Sequence, residues 1–189
     1  MHPKFRNTFL AIAATLTLAA GAASAQDISK FVISDAAAKK TLIKNEINAD
    51  TARKIIDKCI DIATKANMAI TIFILTPTGQ IVASHRMDGQ VPINIETALL
   101  KAQSVLVTRD STHLRANMIA NNIPQQIKWH AIGVFTTSGG LPIVAGGQMI
   151  GTIGVGGGSK DEEMAFEALE AVVGPQPPLA PTQPPQRAQ

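Results

Sequence analysis

Apolar residues recur at three- and four-residue steps after Thr51: Ala52, Ile55, Ile56, Cys59, Ile62, Ala63 and Ala66 fall on one side of a helix. Asp50 offers the cap of that helix and Asn67 its stop. Ala69 to Leu75, rich in isoleucine, reads as a buried strand, and Pro77-Thr78-Gly79 turns it. Gln80 to Asp88 returns beside it. The two-residue period there places Ile81, Ala83, His85 and Met87 on one face, and Val82, Ser84, Arg86 and Asp88 on the other. Ile93 to Thr108 predicts a second helix, with Ile95, Ala98, Leu99, Ala102 and Leu106 as its stripe. A short helix follows over His113 to Ala120, broken by Asn121-Asn122-Ile123-Pro124. Gln125 to Ser138 has no clear period, although Ala131 to Phe135 offers a strand. Leu141 to Ala145 and Gln148 to Val155 form a hairpin around Gly146-Gly147, which supply the positive φ angles of a two-residue turn. Ser159 and Glu162 have capping-box spacing at the head of a last helix, which runs to Val173. Hairpins imply an antiparallel sheet, and amphipathic helices need a face to cover. The expected class is an α+β layered domain, an antiparallel sheet flanked by helices.

Patterns at the two ends set the domain apart. Lys4 and Arg6, the uncharged run Phe9 to Ala20 and the small-residue site Ala23-Ser24-Ala25 have the order of a cleaved signal peptide, with Gln26 first in the mature chain. The expected organisation is a signal peptide over 1–25, a lead over 26–47, the domain over 48–173 and a proline-rich, disordered or polyproline-like tail over 174–189. The reading places the protein outside the cytoplasm, in the periplasm, with no membrane span left after cleavage.

Charge and composition remove several functions. The formal charge of +3 falls to +1 once Lys4 and Arg6 leave with the leader, and no cluster of basic residues remains to hold nucleic acid. Tyrosine is absent and Trp129 is the one tryptophan, so aromatic platforms for stacking bases are missing as well. Cys59, the one cysteine, forms no internal disulfide and sits on an apolar stripe, where a thiol acts as a small hydrophobe.

The glycine run from Gly151 to Gly158 does not spell a dinucleotide fingerprint. Ser159 stands where the last glycine belongs, and Asp161, Glu162 and Glu163 would repel a phosphate from the helix that follows. His85, His113 and His130 lie in three different elements, without the close spacing of a zinc site. His85 reads either as a half-buried histidine hydrogen-bonded to backbone or as a ligand or acid–base group; among candidate ligands it ranks first because it shares an apolar strand face with Ile81 and Met87, beside Arg86. Arg86, Arg109 and Arg115 have the planar geometry that recognises carboxylates. Met68, Met87, Met118, Met149 and Met164 offer soft lining for an apolar site, or ordinary core filler.

Thr78-Gly79, His85-Arg86-Met87-Asp88-Gly89, Ala98, Lys101-Ala102, Gly139-Gly140-Leu141-Pro142-Ile143, Gly151 to Gly157 and Asp161 together resemble the GlcG/HbpS-like haem-binding family, which includes the C-terminal domain of PduO-type proteins from corrinoid metabolism. The resemblance spans Asn48 to Val173. It implies a profilin-like domain that assembles into homo-oligomers, binds haem, and serves haem or iron handling or sensing. It supplies no axial ligand. The ligand set expected from the residues is His85, Arg86, Met87, His113 and His130, with His85 on the iron. The alternative is an enzyme or accessory binding module for a small organic or corrinoid-related ligand, with His85, Arg86 and Asp88 doing acid–base work.

Overall fold

A computed structural model describes residues 45–182; the expected leader, most of the 26–47 lead and the last residues of the tail lie outside them. The chain runs α1 (Ala49–Lys65), β1 (Thr71–Leu75), β2 (Ile81–Arg86), α2 (Pro92–Thr108), α3 (Thr112–Ile119), α4 (Ile123–Ala131), β3 (Gly140–Ala145), β4 (Gln148–Gly156) and α5 (Asp161–Val172). The strands make one antiparallel sheet in the order β2-β1-β4-β3. The α+β architecture is the one expected. Among the described residues no helix is long and apolar enough to cross a membrane.

The sheet has two covered faces. Ile72 and Ile74 of β1, Leu141 and Ile143 of β3, and Ile153 and Val155 of β4 pack against α1 and α5 in the main core. Of the stripe expected on α1, Ala52, Ile55, Ile56, Cys59 and Ala63 are buried and Ile62 is partly buried, whereas Ala66 lies past the helix end and is exposed. Ile47, one residue before the expected domain start, is also buried, and its N–H donates to the Ile150 carbonyl at 2.7 Å. The opposite face carries α2. Here glycine decides how closely the layers approach. A Cβ on Gly154 would stand 2.6 Å from the Ala102 nitrogen and closer still to the Ala98 carbonyl. One on Gly156 would stand 2.8 Å from the Asn94 carbonyl. Asn94, Ala98 and Ala102 are one helical turn apart, so α2 lies directly along the bare backbone of β4. The glycine run therefore makes a helix seat as well as the connection into α5.

Four expectations are corrected locally. The cap of α1 is Asn48, whose side chain accepts from the Thr51 N–H at 2.8 Å, rather than Asp50. The capping box at Ser159 does not form; α5 begins at Asp161 behind Lys160, and Asp161 Oδ1 accepts from the Gly158 N–H at 2.8 Å. No strand forms over 131–135. Asn122 caps Gln125 at 3.1 Å and Pro124 preorganises the first turn of α4, so the Asn-Asn-Ile-Pro break separates two helices. On β2, a bulge opposite Ile74/Leu75 pairs Leu75 with Ile81 and Ile74 with Ala83, which interrupts the expected alternation. His85, opposite Ile72, and Ala83, opposite Ile74, keep the face of the main core, whereas Ile81 pairs on the α2 side and is 54% exposed.

The tail is seated as far as it is described. The Gln176 side chain accepts from the Val144 N–H at 2.9 Å and donates to the Val144 carbonyl at 3.0 Å, satisfying one residue of the β3 edge. Leu179 packs on the core and Asn117 donates to the Pro181 carbonyl at 3.0 Å.

Candidate functional site

Lys101 follows Ala98 by three residues, so it falls on the face of α2 that meets the sheet. Its ammonium is buried and donates to Asp161 Oδ2 and to the Val155 carbonyl, each at 2.7 Å. Burial pushes the Asp161 carboxyl above the usual carboxylate range, while the Lys101 hydrogen bond and charge pull it back down. The backbone makes room for the pair: at Gly139, with φ of 118°, a Cβ would stand 2.9 Å from Lys101 Nζ. The next residue, Glu162, is 2% exposed, and its Oε2 accepts from Ser138 Oγ at 2.7 Å and lies 3.0 Å from His113 Nδ1. Among the described residues Glu162 Oε1 has no partner. Of the three carboxylates in its first turn, α5 thus buries two, one locked to α2 and one to α3 and the 132–138 segment.

That irregular segment, rather than a strand, borders the cavities on this side. Phe135 N–H donates to Ser104 Oγ of α2 at 2.7 Å, and Val134 is buried. A cavity of about 400 Å³ opens beside it, lined by Leu100, His130, Val134, Phe135, Thr136 and Thr137, with Gly133. Its walls are mainly apolar and its volume lies in the range of small-molecule sites. His130, the last turn of α4, supplies the imidazole, and its Nε2 is 3.2 Å from Thr136 Oγ1. A smaller polar cavity of about 240 Å³, lined by Asn94, Thr97, Lys101 and Asp161 among others, shares Phe135 and Thr137 with the first.

The sequence candidates are dispersed. His85 and Arg86 are exposed on the edge strand β2, Arg86 Nη1 donates to the Gln90 carbonyl at 3.0 Å, and Met87 packs partly against the main core. None of these three lines the two cavities above. His113 is half-buried on Glu162, and only His130 meets the apolar cavity. Among the described residues no three His, Cys, Asp or Glu side chains cluster as a metal site. The walls of the cavity escaped the sequence reading because Leu100 and Phe135 come from elements far apart in the chain. The buried pair had a legible signal, a lysine on the apolar stripe of a helix.

The donor set suits haem: an apolar slot for a porphyrin with an imidazole at its edge for iron. The other ring nitrogen of His130 remains when Nε2 is engaged by Thr136, the arrangement in which a neighbour orients a ligating histidine.

Residues 47–170 match the family described as haem degrading protein, HbpS-like. Among solved structures, HbpS is 25% identical, with a TM-score of 0.61, over 68% of this chain and 91% of that one. The Klebsiella pneumoniae protein ORFY is 23% identical, with a TM-score of 0.63, over 69% and 92%. A complex of PduOC with haem is 20% identical, with a TM-score of 0.62, over 67% and 95%. A comparison with curated proteins found no match.

Proposed function

The chain belongs to the HbpS-like family, and we propose on that premise that it binds haem in the cavity walled by Leu100, Val134 and Phe135, in the service of haem or iron handling. The observation that carries the reading is the meeting of one imidazole, His130, with a mainly apolar cavity of about 400 Å³. Haem brings an iron that accepts imidazole as an axial ligand. The protein's part is to keep water from the porphyrin with Leu100, Val134 and Phe135, and to present His130, held at Nε2 by Thr136. His85, which leads on sequence grounds, is exposed on an edge strand, and Arg86 serves the turn after it.

Titration of haemin into the purified protein tests this. The expected result is a saturable, one-to-one Soret band. His130→Ala shifts and weakens it, and His85→Ala leaves it in place. A band that never saturates removes the haem reading and favours a small organic or corrinoid-related ligand. A band moved by His85→Ala but not by His130→Ala keeps haem and relocates the site.

The same reading includes export and self-association. Export is supported by the leader pattern of residues 1–25, and intact mass from the native host should begin at Gln26. Self-association is supported by α4, which buries no residue and leaves Ile123 and Ile127, with Ile132 just past its end, more than half exposed. Ile127→Glu should then reduce the mass measured by light scattering.

A further inference from the structure

A third cavity, of about 450 Å³, shares no lining residue with the other two. Leu114 of α3, Leu141 and Val144 of β3, and Met149 of β4 give it apolar walls, and Pro177 to Pro181 of the tail close it. Arg109 stands in its lining at the end of α2. Three features make this more than a packing gap.

The first is charge. The neighbouring Asp110 is paired with Arg115, so it does not serve as the counter-ion of Arg109. The one hydrogen bond recorded for the Arg109 guanidinium, among the described residues, goes from Nη1 to the thioether of Met149 at 3.7 Å. A thioether is a weak acceptor, and Arg109 is exposed, so its guanidinium keeps its donors for an anion in exchange for water. The second is backbone. Arg109 has φ of 62°, the left-handed conformation that a helix C-cap normally gives to glycine or asparagine. The capping bond from its N–H to the Val105 carbonyl asks nothing of the side chain, so an arginine there carries a strain that glycine would not. The third is the wall. Residues 177–181 have no helix or strand, and they are tethered by Gln176 on Val144 and by the Asn117 bond to Pro181. A few hydrogen bonds and the packing of Leu179 on the core hold a segment whose displacement opens the cavity.

We propose that this cavity is a second binding site, for a molecule with an apolar body and one carboxylate, the body lying against Leu114, Leu141 and Met149 and the carboxylate on Arg109. Planar guanidinium matches a carboxylate with two parallel hydrogen bonds, and the cavity offers an apolar chain the burial that water denies it. The proposal stands apart from the haem reading.

Decanoate, decanol and the full chain test it by isothermal titration. Decanoate binds at one site per chain, and decanol binds there more weakly. Arg109→Gly relieves the left-handed strain, so its melting temperature equals or exceeds that of the wild type, while decanoate binding falls at least tenfold and decanol binding does not change. Leu114→Trp fills the cavity and removes both ligands. The Soret response to haemin is the same in all three proteins. No saturable decanoate binding overturns the proposal, as does decanoate binding that Arg109→Gly leaves at wild-type strength. Displacement of decanoate by haemin at one equivalent overturns it too, since the two sites would then be one. If Leu114→Trp unfolds, the Arg109→Gly result decides alone.

Discussion

Lys101 Nζ lies 2.7 Å from Asp161 Oδ2, with both side chains about 95% buried, and this contact joins the middle of α2 to the first residue of α5 across sixty positions of sequence. It links the helix on one face of the sheet to a helix on the other. Replacing a buried pair by apolar groups is often neutral, but removing one partner leaves a charge without water or counter-ion. Lys101→Met should therefore cost about 3–5 kcal/mol. Guanidinium unfolding measures it, as a lower midpoint at unchanged slope. A loss below about 1 kcal/mol, the size of a surface pair, would mean that the backbone N–H of Gly158 suffices for Asp161.

Two glycines, Gly154 inside β4 and Gly146 in the turn before it, should respond in opposite ways. Gly154 has no room: a Cβ there runs into the backbone of Ala98 and Ala102 on α2, and backbone cannot turn aside. Gly154→Ala should lose about 1–3 kcal/mol or more, or fail to fold, through overpacking. Gly146 has φ of 56° and nothing within 4 Å of an added Cβ. Asparagine tolerates that conformation, so Gly146→Asn should stay within about 0.5 kcal/mol of the wild type. Thermal melting of the two variants side by side distinguishes a glycine needed for space from one needed for φ.

Local signals carried the reading of the fold where the elements are locally determined. The stripe from Ala52 to Ala63 and the hairpin at Gly146-Gly147 are visible in sequence because each needs only its own period or its own turn. Ile81 was misplaced by a bulge, which alternation cannot reveal before the partner strand is known. The helix over Ile123–Ala131 was hidden because Asn122 and Pro124 both end one helix and begin the next. The tail reads as disordered or polyproline-like by composition; within its described residues Gln176 meets the β3 edge at Val144, a contact that no local pattern announces. For the site the limit is the same: His130 was a candidate on residue type, but its apolar neighbours are assembled by the tertiary fold alone.

Cys59 gives a chemical test of the core. Burial lifts its thiol from 9.0 to about 12, with the Glu167 charge adding to the effect. The thiolate is the reactive form, so iodoacetamide at pH 8 should not modify the folded protein and should modify the unfolded one fully. The sign of the linkage follows. The folded state keeps the proton where the unfolded state gives it up, so this contribution is intact below pH 9.0 and is lost as pH rises toward about 12. The slope in that window is about 1.4 kcal/mol per pH unit. Cys59→Ser would flatten this part of the pH profile; a profile of unchanged slope would assign the alkaline loss to other groups.

The two histidines on the α2 side of the sheet should separate by phenotype. His113 Nδ1 is 3.0 Å from Glu162 Oε2, and Glu162 is 2% exposed with Oε1 unpartnered among the described residues. Without the imidazole, Ser138 Oγ is the one remaining side-chain partner of a buried carboxylate. His113→Ala should then cost about 1–3 kcal/mol, the penalty of an under-satisfied buried group, and leave the haemin Soret maximum where it was. His130 is exposed and its recorded side-chain bond goes to Thr136. His130→Ala should change stability by no more than about 0.5 kcal/mol, the usual surface range, and shift the Soret maximum through loss of an axial ligand. Melting and absorption spectra on the same two variants give both readouts. If His113→Ala shifts the Soret band with no loss of stability, then Glu162 orients a ligand rather than anchoring a helix, and the iron belongs at His113.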